Sequence, residues 1–276
     1  METISDRSNW LKVSPSRLGA LDDCPRKLWW KYDQKVPEGP AYYASRGTVL
    51  EAMVMSIIRN ERSDFSTHSV EAEGKRAWKE ECDKNPGLED YNEKFEKELP
   101  RMIAGAGTYQ HSGELVADQF YCEVQFKRLP KIHGFGDLLI RDMDGSLTVR
   151  DIKCKGQLSN GVQLSWRRQL TVYALSVMIK HQLESLPKTE IDMVSVGKTP
   201  GHRRIPVHLS GDDISELINQ MEKLVYHIDN GFWPQNRVSK YCSEENCSYF
   251  SRCIYGDSFV SYKNAMELLD EMPILP

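Results

Sequence analysis

The sequence predicts an α/β protein in which a central mixed β-sheet is flanked by helices, with a helical insertion and a cysteine-rich C-terminal tail. Three observations predict it. Strand signals recur at "FYCEVQF" (120–126), "HGFGDLLI" (133–140), "LTVRDIKC" (147–154), "IDMVSVGK" (191–198) and "RRIPVHLS" (203–210). Helical stripes separate or flank them, over 47–59, over "LSWRRQLTVYALSVMIK" (164–180) and beyond Ser210. The composition, 276 residues with 40% hydrophobic and 28% charged, is that of a chain able to bury a sizeable core. No break in composition divides it, so one domain with decorations is expected.

The elements follow in order. Ser14-Pro15 is a helix start, a hydroxyl cap with proline in the first turn, and Leu18, Leu21 and Leu28 give the segment an apolar side with Cys24-Pro25 inside it. From Gly47 to Arg59, Val49, Leu50, Met53, Val54, Ile57 and Ile58 form a stripe with Glu51 at its border. Residues 71–104 are charged and helix-prone around a break at "NPG" (85–87), and read as a solvated helical insertion. In 120–126, Phe120, Cys122, Val124 and Phe126 alternate with Tyr121, Glu123 and Gln125, while the next two strands flank a hairpin turn at Asp144-Gly145. Gln169 and Tyr173 stand i, i+4 on the 164–180 helix and share a face. The last two strands surround a "TPGH" turn. Ser210 then caps an amphipathic helix, with Ile214, Leu217, Ile218, Met221, Leu224, Val225 and Ile228 on one side, which ends at Asn230-Gly231. The chain thus reads as N-terminal helices (14–60), insertion (61–115), core (116–209), and helix with tail (210–276).

The net charge of −4 gives no global attraction for nucleic acid, so such binding needs local patches such as "KRLPK" (127–131), Arg167-Arg168 and Arg203-Arg204. The start "METISDRSNW" lacks the basic-then-apolar layout of a signal peptide, and no apolar run approaches the roughly 20 residues that span a bilayer. A cytoplasmic protein without a membrane partner is expected. In that compartment seven cysteines argue for thiols or metal ligands over a disulfide framework.

The chemistry starts at the end of one strand. In "LTVRDIKC", Leu147, Val149, Asp151 and Lys153 share one face, and Thr148, Arg150, Ile152 and Cys154 the other. Two opposite charges that continue an apolar row are either a structural ion pair or the start of an active site. Asp137, after the flexible run Gly134-Phe135-Gly136, lies on the preceding strand, and a hairpin brings it beside Asp151. Converging carboxylates repel unless a cation lies between them, and hard divalent ions take oxygen ligands. A lysine on the same face then orients a metal-bound water or stabilises charge growing on an attacked phosphate.

These residues also carry a resemblance. The series G-x-x-x-E (Gly47 to Glu51), G-F-G-D (Gly134 to Asp137), D-I-K (Asp151 to Lys153) and Q-L-T-V-Y (Gln169 to Tyr173) resembles the PD-(D/E)XK nuclease superfamily, in particular its RecB-like branch, which includes the CRISPR-associated adaptation nucleases and the AddB nuclease domain. The resemblance implies a restriction-endonuclease-like core. It further implies that Glu51, Asp137, Asp151 and the Ile152 carbonyl bind Mg²⁺ or Mn²⁺, that Lys153 is the catalytic lysine, and that Gln169 and Tyr173 support the site and contact DNA. Glu51 departs from the branch, which usually has histidine there. Glutamate is more like the phage lambda-type recombination exonucleases, and its hard oxygen favours Mg²⁺ over softer ions. Glu123, on the strand before Asp137, is a secondary candidate.

The tail "YCSEENCSYFSRC" spaces Cys242, Cys247 and Cys253 as C-x4-C-x5-C, and Cys24 is the fourth partner if the chain ends meet. Four thiolates suit an iron–sulfur cluster or tetrahedral Zn²⁺, and spacing alone does not choose. The set resembles the iron–sulfur branch of the RecB-like nucleases, which implies a 4Fe–4S cluster with a structural role; the usual spacing there is C-x2-C-x5-C. Cys82, Cys122 and Cys154 read as isolated thiols.

The expected function is divalent-metal-dependent exonucleolytic hydrolysis of DNA in recombination, repair or CRISPR-type processing. The alternatives are a lambda-type exonuclease acting on duplex ends and a catalytically inactive DNA-binding subunit that keeps the fold. Expected partners are single-stranded or duplex DNA ends and either a second copy of the chain or a recombination or adaptation protein.

Overall fold

The computed structural model describes residues 10, 12–60, 66–239, 241–244 and 246–253. These described residues divide into two compact units, one lying within 12–15 and 40–220, the other within 1–11, 16–39 and 221–253. The segments read from sequence as 14–60 and 210–276 are therefore each shared between the units.

The first unit is a mixed α/β structure built on a six-stranded sheet. The long strands β2 (Glu114–Val124) and β3 (Lys131–Arg141) pair antiparallel, and β3 turns back into β4 (Leu147–Lys155). At that turn Gly145 takes φ +80°, a conformation suited to glycine, and its N–H donates to the Asp142 carbonyl at 2.9 Å. A helix (Leu164–Lys180, within the bounds the apolar pattern predicts) carries the chain from β4 to β5 (Lys188–Ser195), which runs parallel to β4 as a crossover allows. β6 (Gly201–Pro206) completes the sheet antiparallel to β5. The two-residue β1 (Lys12–Val13) is parallel to the start of β3, with Val13 against Ile132.

Because β2 lies along one edge of β3, β1 and β4 share the other. β1 takes Lys131 and Ile132, and β4 takes Leu138 to Arg141. Residues 133–137 of that edge have no strand partner there among the described residues. Asp137 stands at the end of this gap.

Ahead of the sheet come helices α3 (Tyr42–Asn60), α4 (Thr67–Lys84) and α5 (Asn92–Ala106). The stripe expected on α3 is buried, with Val49, Leu50, Met53 and Val54 all fully covered. The insertion expected to be solvated is not. Val70, Trp78, Leu88, Phe95, Leu99 and Met102 join α3, Leu138, Ile140, Ile152 and Val194 in one hydrophobic cluster. Trp78 stacks on Phe95 with ring centroids 4.5 Å apart and 6° between planes. Its charges occupy the outward turns and hide a narrow apolar stripe. β2 also begins six residues before the predicted "FYCEVQF", because Asp118 and Gln119 interrupt the apolar pattern and Gln119 takes φ +44°.

A polar tie crosses the same unit. Asp192 on β5 is wholly buried; its Oδ1 accepts from Arg204 Nε at 2.8 Å and contacts His202 Nε2 at 3.0 Å. Its Oδ2 accepts from Tyr109 OH at 2.8 Å and from Arg204 Nη2 at 3.0 Å. Arg150, also buried, pairs with Glu190 at 2.6 Å.

In the second unit the helix expected to run through Cys24-Pro25 breaks there. α1 (Pro15–Asp23) ends, Cys24 is extended (φ −166°, ψ 107°), and α2 (Pro25–Leu28) begins on the proline, which lacks an N–H and disfavours helical geometry in the residue before it. With the crossover helix counted as α6, the long amphipathic helix is α7 (Gly211–Asn230), of which Gly211–Gln220 belong to the first unit and Met221–Asn230 to the second. Asp212 N donates to Ser210 Oγ at its start and Gly231 takes φ +61° after its end, as the sequence predicts. Trp10 and Trp233 stack at 5.3 Å, and Tyr249 OH donates to the Val36 carbonyl at 2.9 Å. Among the described residues no helix is long and apolar enough to cross a membrane.

Candidate active site

The alternation of β4 puts Asp151 and Lys153 on one face, as predicted, and their side chains meet. Lys153 Nζ is 2.7 Å from Asp151 Oδ2. Asp151 is wholly buried and its Oδ1 has no hydrogen-bond partner among the described residues; the lysine contact at Oδ2 is an ion contact outside hydrogen-bond geometry. Such an orphaned carboxylate oxygen is costly unless something absent from the chain itself ligates it. Cys154 turns to the opposite face, against the hydrophobic cluster.

Asp137 approaches from β3. Its Oδ2 accepts the Ile152 backbone N–H at 2.6 Å, just past Leu138 and Arg150, the last paired residues of the two strands. Burial holds the Asp137 carboxyl well above its ordinary range, and the Asp151 and Glu51 carboxylates push it further. Burial also raises Asp151, against the pull of Lys153. Glu51, brought in by α3, is raised first by burial and then by Asp151, while Lys153 and a hydrogen bond from Gln119 moderate it. Lys153 is the counterpart. Burial, the largest influence, favours its neutral form, but Asp151, Asp137 and Glu51 outweigh it and leave the ammonium raised. The chemical product is a pocket of three carboxylates that resist joint ionisation and one lysine that stays charged.

α6 aims the lysine. Lys153 Nζ donates to Gln169 Oε1 at 2.9 Å, and Gln169 Nε2 donates to Tyr173 OH at 2.7 Å. The i, i+4 spacing that places Gln169 and Tyr173 on one face therefore makes a relay ending on the lysine. Burial raises the Tyr173 phenol, so it stays protonated. Gly134 makes room for it, since a Cβ there would stand 3.1 Å from the Tyr173 ring.

The structure thus brings Glu51, Asp137, Asp151, Lys153, Gln169 and Tyr173 together. Glu123 is not among them; it pairs with Lys131 at 2.8 Å and accepts from Tyr121 OH at 2.7 Å. Gln119 was missed, because a polar residue in the left-handed region of a strand leaves no periodic signal. Among the described residues, no three His, Cys, Asp or Glu side chains stand in a metal-coordinating arrangement.

The second unit holds the other predicted set. Cys24, Cys242, Cys247 and Cys253, all free thiols, line one cavity of about 210 Å³. Asn236 N lies 3.5 Å from Cys24 Sγ and Trp30 Nε1 lies 3.2 Å from Cys253 Sγ.

No curated protein matches the chain. Among solved structures, a "Putative exonuclease" from Eubacterium rectale is similar at 14% identity and TM-score 0.50, covering 85% of this chain and 88% of its own. The structure of SSO0001 is similar at 13% identity and TM-score 0.43, covering 88% of this chain and 86% of its own. The likeness to the Eubacterium rectale structure concerns the fold. The family model of the PD-(D/E)XK nuclease superfamily matches residues 12–254, a span that takes in the sheet, α6 and the carboxylate pocket, and the chain belongs to that superfamily.

Proposed function

We propose that this nuclease is a divalent-metal-dependent deoxyribonuclease of the RecB-like branch that degrades DNA from its ends, in recombination, repair or CRISPR-type processing. The observation that carries the reading is the relay from Tyr173 through Gln169 to Lys153, which holds a charged ammonium over Asp151 and its orphaned Oδ1. On this reading Glu51, Asp137, Asp151 and the Ile152 carbonyl would supply the hard oxygen donors that Mg²⁺ or Mn²⁺ takes, once the side chains close on the ion. When bound, such a cation supplies charge neutralisation at the phosphate and a more acidic water. The chain's own residues do the rest. The three carboxylates repel a bare phosphate and fix where a neutralised one can sit. Lys153 hydrogen-bonds the attacking water or the phosphate oxygen that gains charge, and Gln169 with Tyr173 keeps it from swinging away.

Cleavage of end-labelled linear and closed circular DNA tests this. Mn²⁺- or Mg²⁺-dependent loss of linear DNA alone is expected, reduced by at least about 100-fold in Asp151→Ala and Lys153→Ala. Full activity in both variants sinks this site. Glu51 supports a second reading, a lambda-type enzyme on duplex ends, and equal label on single-stranded and duplex substrates separates the two.

For the cysteines we propose a structural 4Fe–4S cluster held by Cys24, Cys242, Cys247 and Cys253. Four soft thiol donors around one cavity support it. Iron and acid-labile sulfide in anaerobically purified protein, lost in Cys24→Ser, are expected; stoichiometric zinc without iron overturns it.

A further inference from the structure

An exposed aromatic pair stands on β2 and β3, two residues along β3 from Asp137, and neither packing nor the relay uses it. Tyr121 and Phe135 stand opposite each other in the β2–β3 register, with ring centroids 5.6 Å apart at 65°. They are 45% and 61% exposed. The His133 ring continues the row, 6.1 Å from Tyr121. Ideal Cβ atoms on Gly134 and Gly136 would meet Tyr173 and Phe120, so Phe135 between them points to the other face of the sheet. Phe135 is two residues from Asp137, about 7 Å along a strand.

The surroundings favour an anion. At the far end of the hairpin Lys127 and Arg128 are exposed, with no carboxylate paired to either among the described residues. Lys131 and Lys12 flank Glu123, which is the acid of this patch and is held by them and by Tyr121. Flat apolar rings backed by lysines match the two faces of an unpaired nucleotide, its base and its phosphate. In a duplex the base faces are already stacked and the rings have nothing to take.

We propose that Phe135 and Tyr121 form a stacking platform for unpaired bases of the DNA strand whose phosphate enters at Asp137 and Asp151. The proposal rests on the DNA-cleaving reading above and deepens it, because it makes single-stranded or frayed ends the preferred substrate. Lys127, Arg128 and Lys131 follow the backbone of the same strand.

Binding of fluorescent single-stranded DNA by the full-length protein, followed by anisotropy in Ca²⁺, tests it beside cleavage in Mn²⁺. Phe135→Ala is expected to weaken binding and raise KM roughly tenfold with kcat little changed, and Phe135→Trp to restore both. An oligonucleotide with abasic sites should bind wild type about as weakly as intact DNA binds Phe135→Ala. Unchanged binding in Phe135→Ala, with cleavage intact, overturns the platform and leaves the nuclease reading standing. A wild-type protein that cuts no DNA but loses binding in Phe135→Ala keeps the platform and removes the catalytic reading. Absence of binding to any DNA removes both. A solution dimer dissolved by Phe135→Ala, with DNA binding unchanged, assigns the face to a second copy and overturns the proposal.

Discussion

The Asp137 carboxylate accepts the Ile152 backbone N–H at 2.6 Å, in the place where a carbonyl of β3 would have taken it had the two strands stayed paired. One side chain therefore closes the fork between β3 and β4 and carries a charge that its neighbours oppose.

Asn at position 137 separates these tasks. Its amide oxygen still accepts the N–H while the charge is gone, so Asp137→Asn is expected to melt at or above the wild-type temperature in EDTA. It should lose the Mn²⁺-induced rise in melting temperature and about 100-fold or more of its activity. Asp137→Ala loses the hydrogen bond as well and should be less stable by about 1–2 kcal/mol. Differential scanning fluorimetry with and without Mn²⁺ checks each arm.

Tyr173→Phe removes the acceptor for Gln169 Nε2 and frees the amide to flip away from Lys153. Loss of one positioning hydrogen bond, about 1–2 kcal/mol, predicts a roughly tenfold lower kcat with KM unchanged. Steady-state kinetics on single-stranded DNA reads this directly. A change in KM alone sinks the positioning role.

Gly136 is covered by Phe120, and a Cβ there would stand 2.4 Å from the ring. Gly136→Ala should cost about 1–3 kcal/mol in urea unfolding through overpacking. Combining it with Phe120→Leu should recover much of the loss.

Asp192 predicts an acid limit to stability. Burial would raise its carboxyl, but His202 and Arg204 hold it down to about 2. Because the folded value lies below the ordinary carboxylate value near 4, its stabilisation is complete above that value and is lost as pH falls through about 2. The loss is on the order of 2 kcal/mol. Urea midpoints compared at mildly acidic pH and near pH 2 should converge between wild type and Asp192→Asn only at the acid end.

Trp78→Ala should destabilise by about 3–5 kcal/mol, as a large ring leaves a buried stack with Phe95. A deletion of α4 and α5 is expected to leave insoluble protein, which expression and centrifugation reveal.

The site was legible in the sequence because its parts sit on regular elements. Strand alternation alone puts Asp151 with Lys153, and helical spacing alone puts Gln169 with Tyr173. What was not legible depends on partners far along the chain. The stripe of Val70, Trp78, Phe95 and Met102 is diluted by charges on the same helices, so its burial emerges only when α3 lies against it. β1, with two residues, is too short to have a period. Asp192 reads as one polar interruption in an apolar strand, and only the β5–β6 register shows that Arg204 lies directly opposite.

The turn at Asp142 to Ser146, held by Gly145, touches nothing in the carboxylate pocket, yet it sets the stagger by which β3 meets β4. Inserting or deleting one residue there would slide one strand by a single step and send Asp137 or Asp151 to the reverse face. Assembly of the proposed site is thus partly a matter of counting: a loop of no chemical interest keeps time for two aspartates, and its length tolerates less change than its composition.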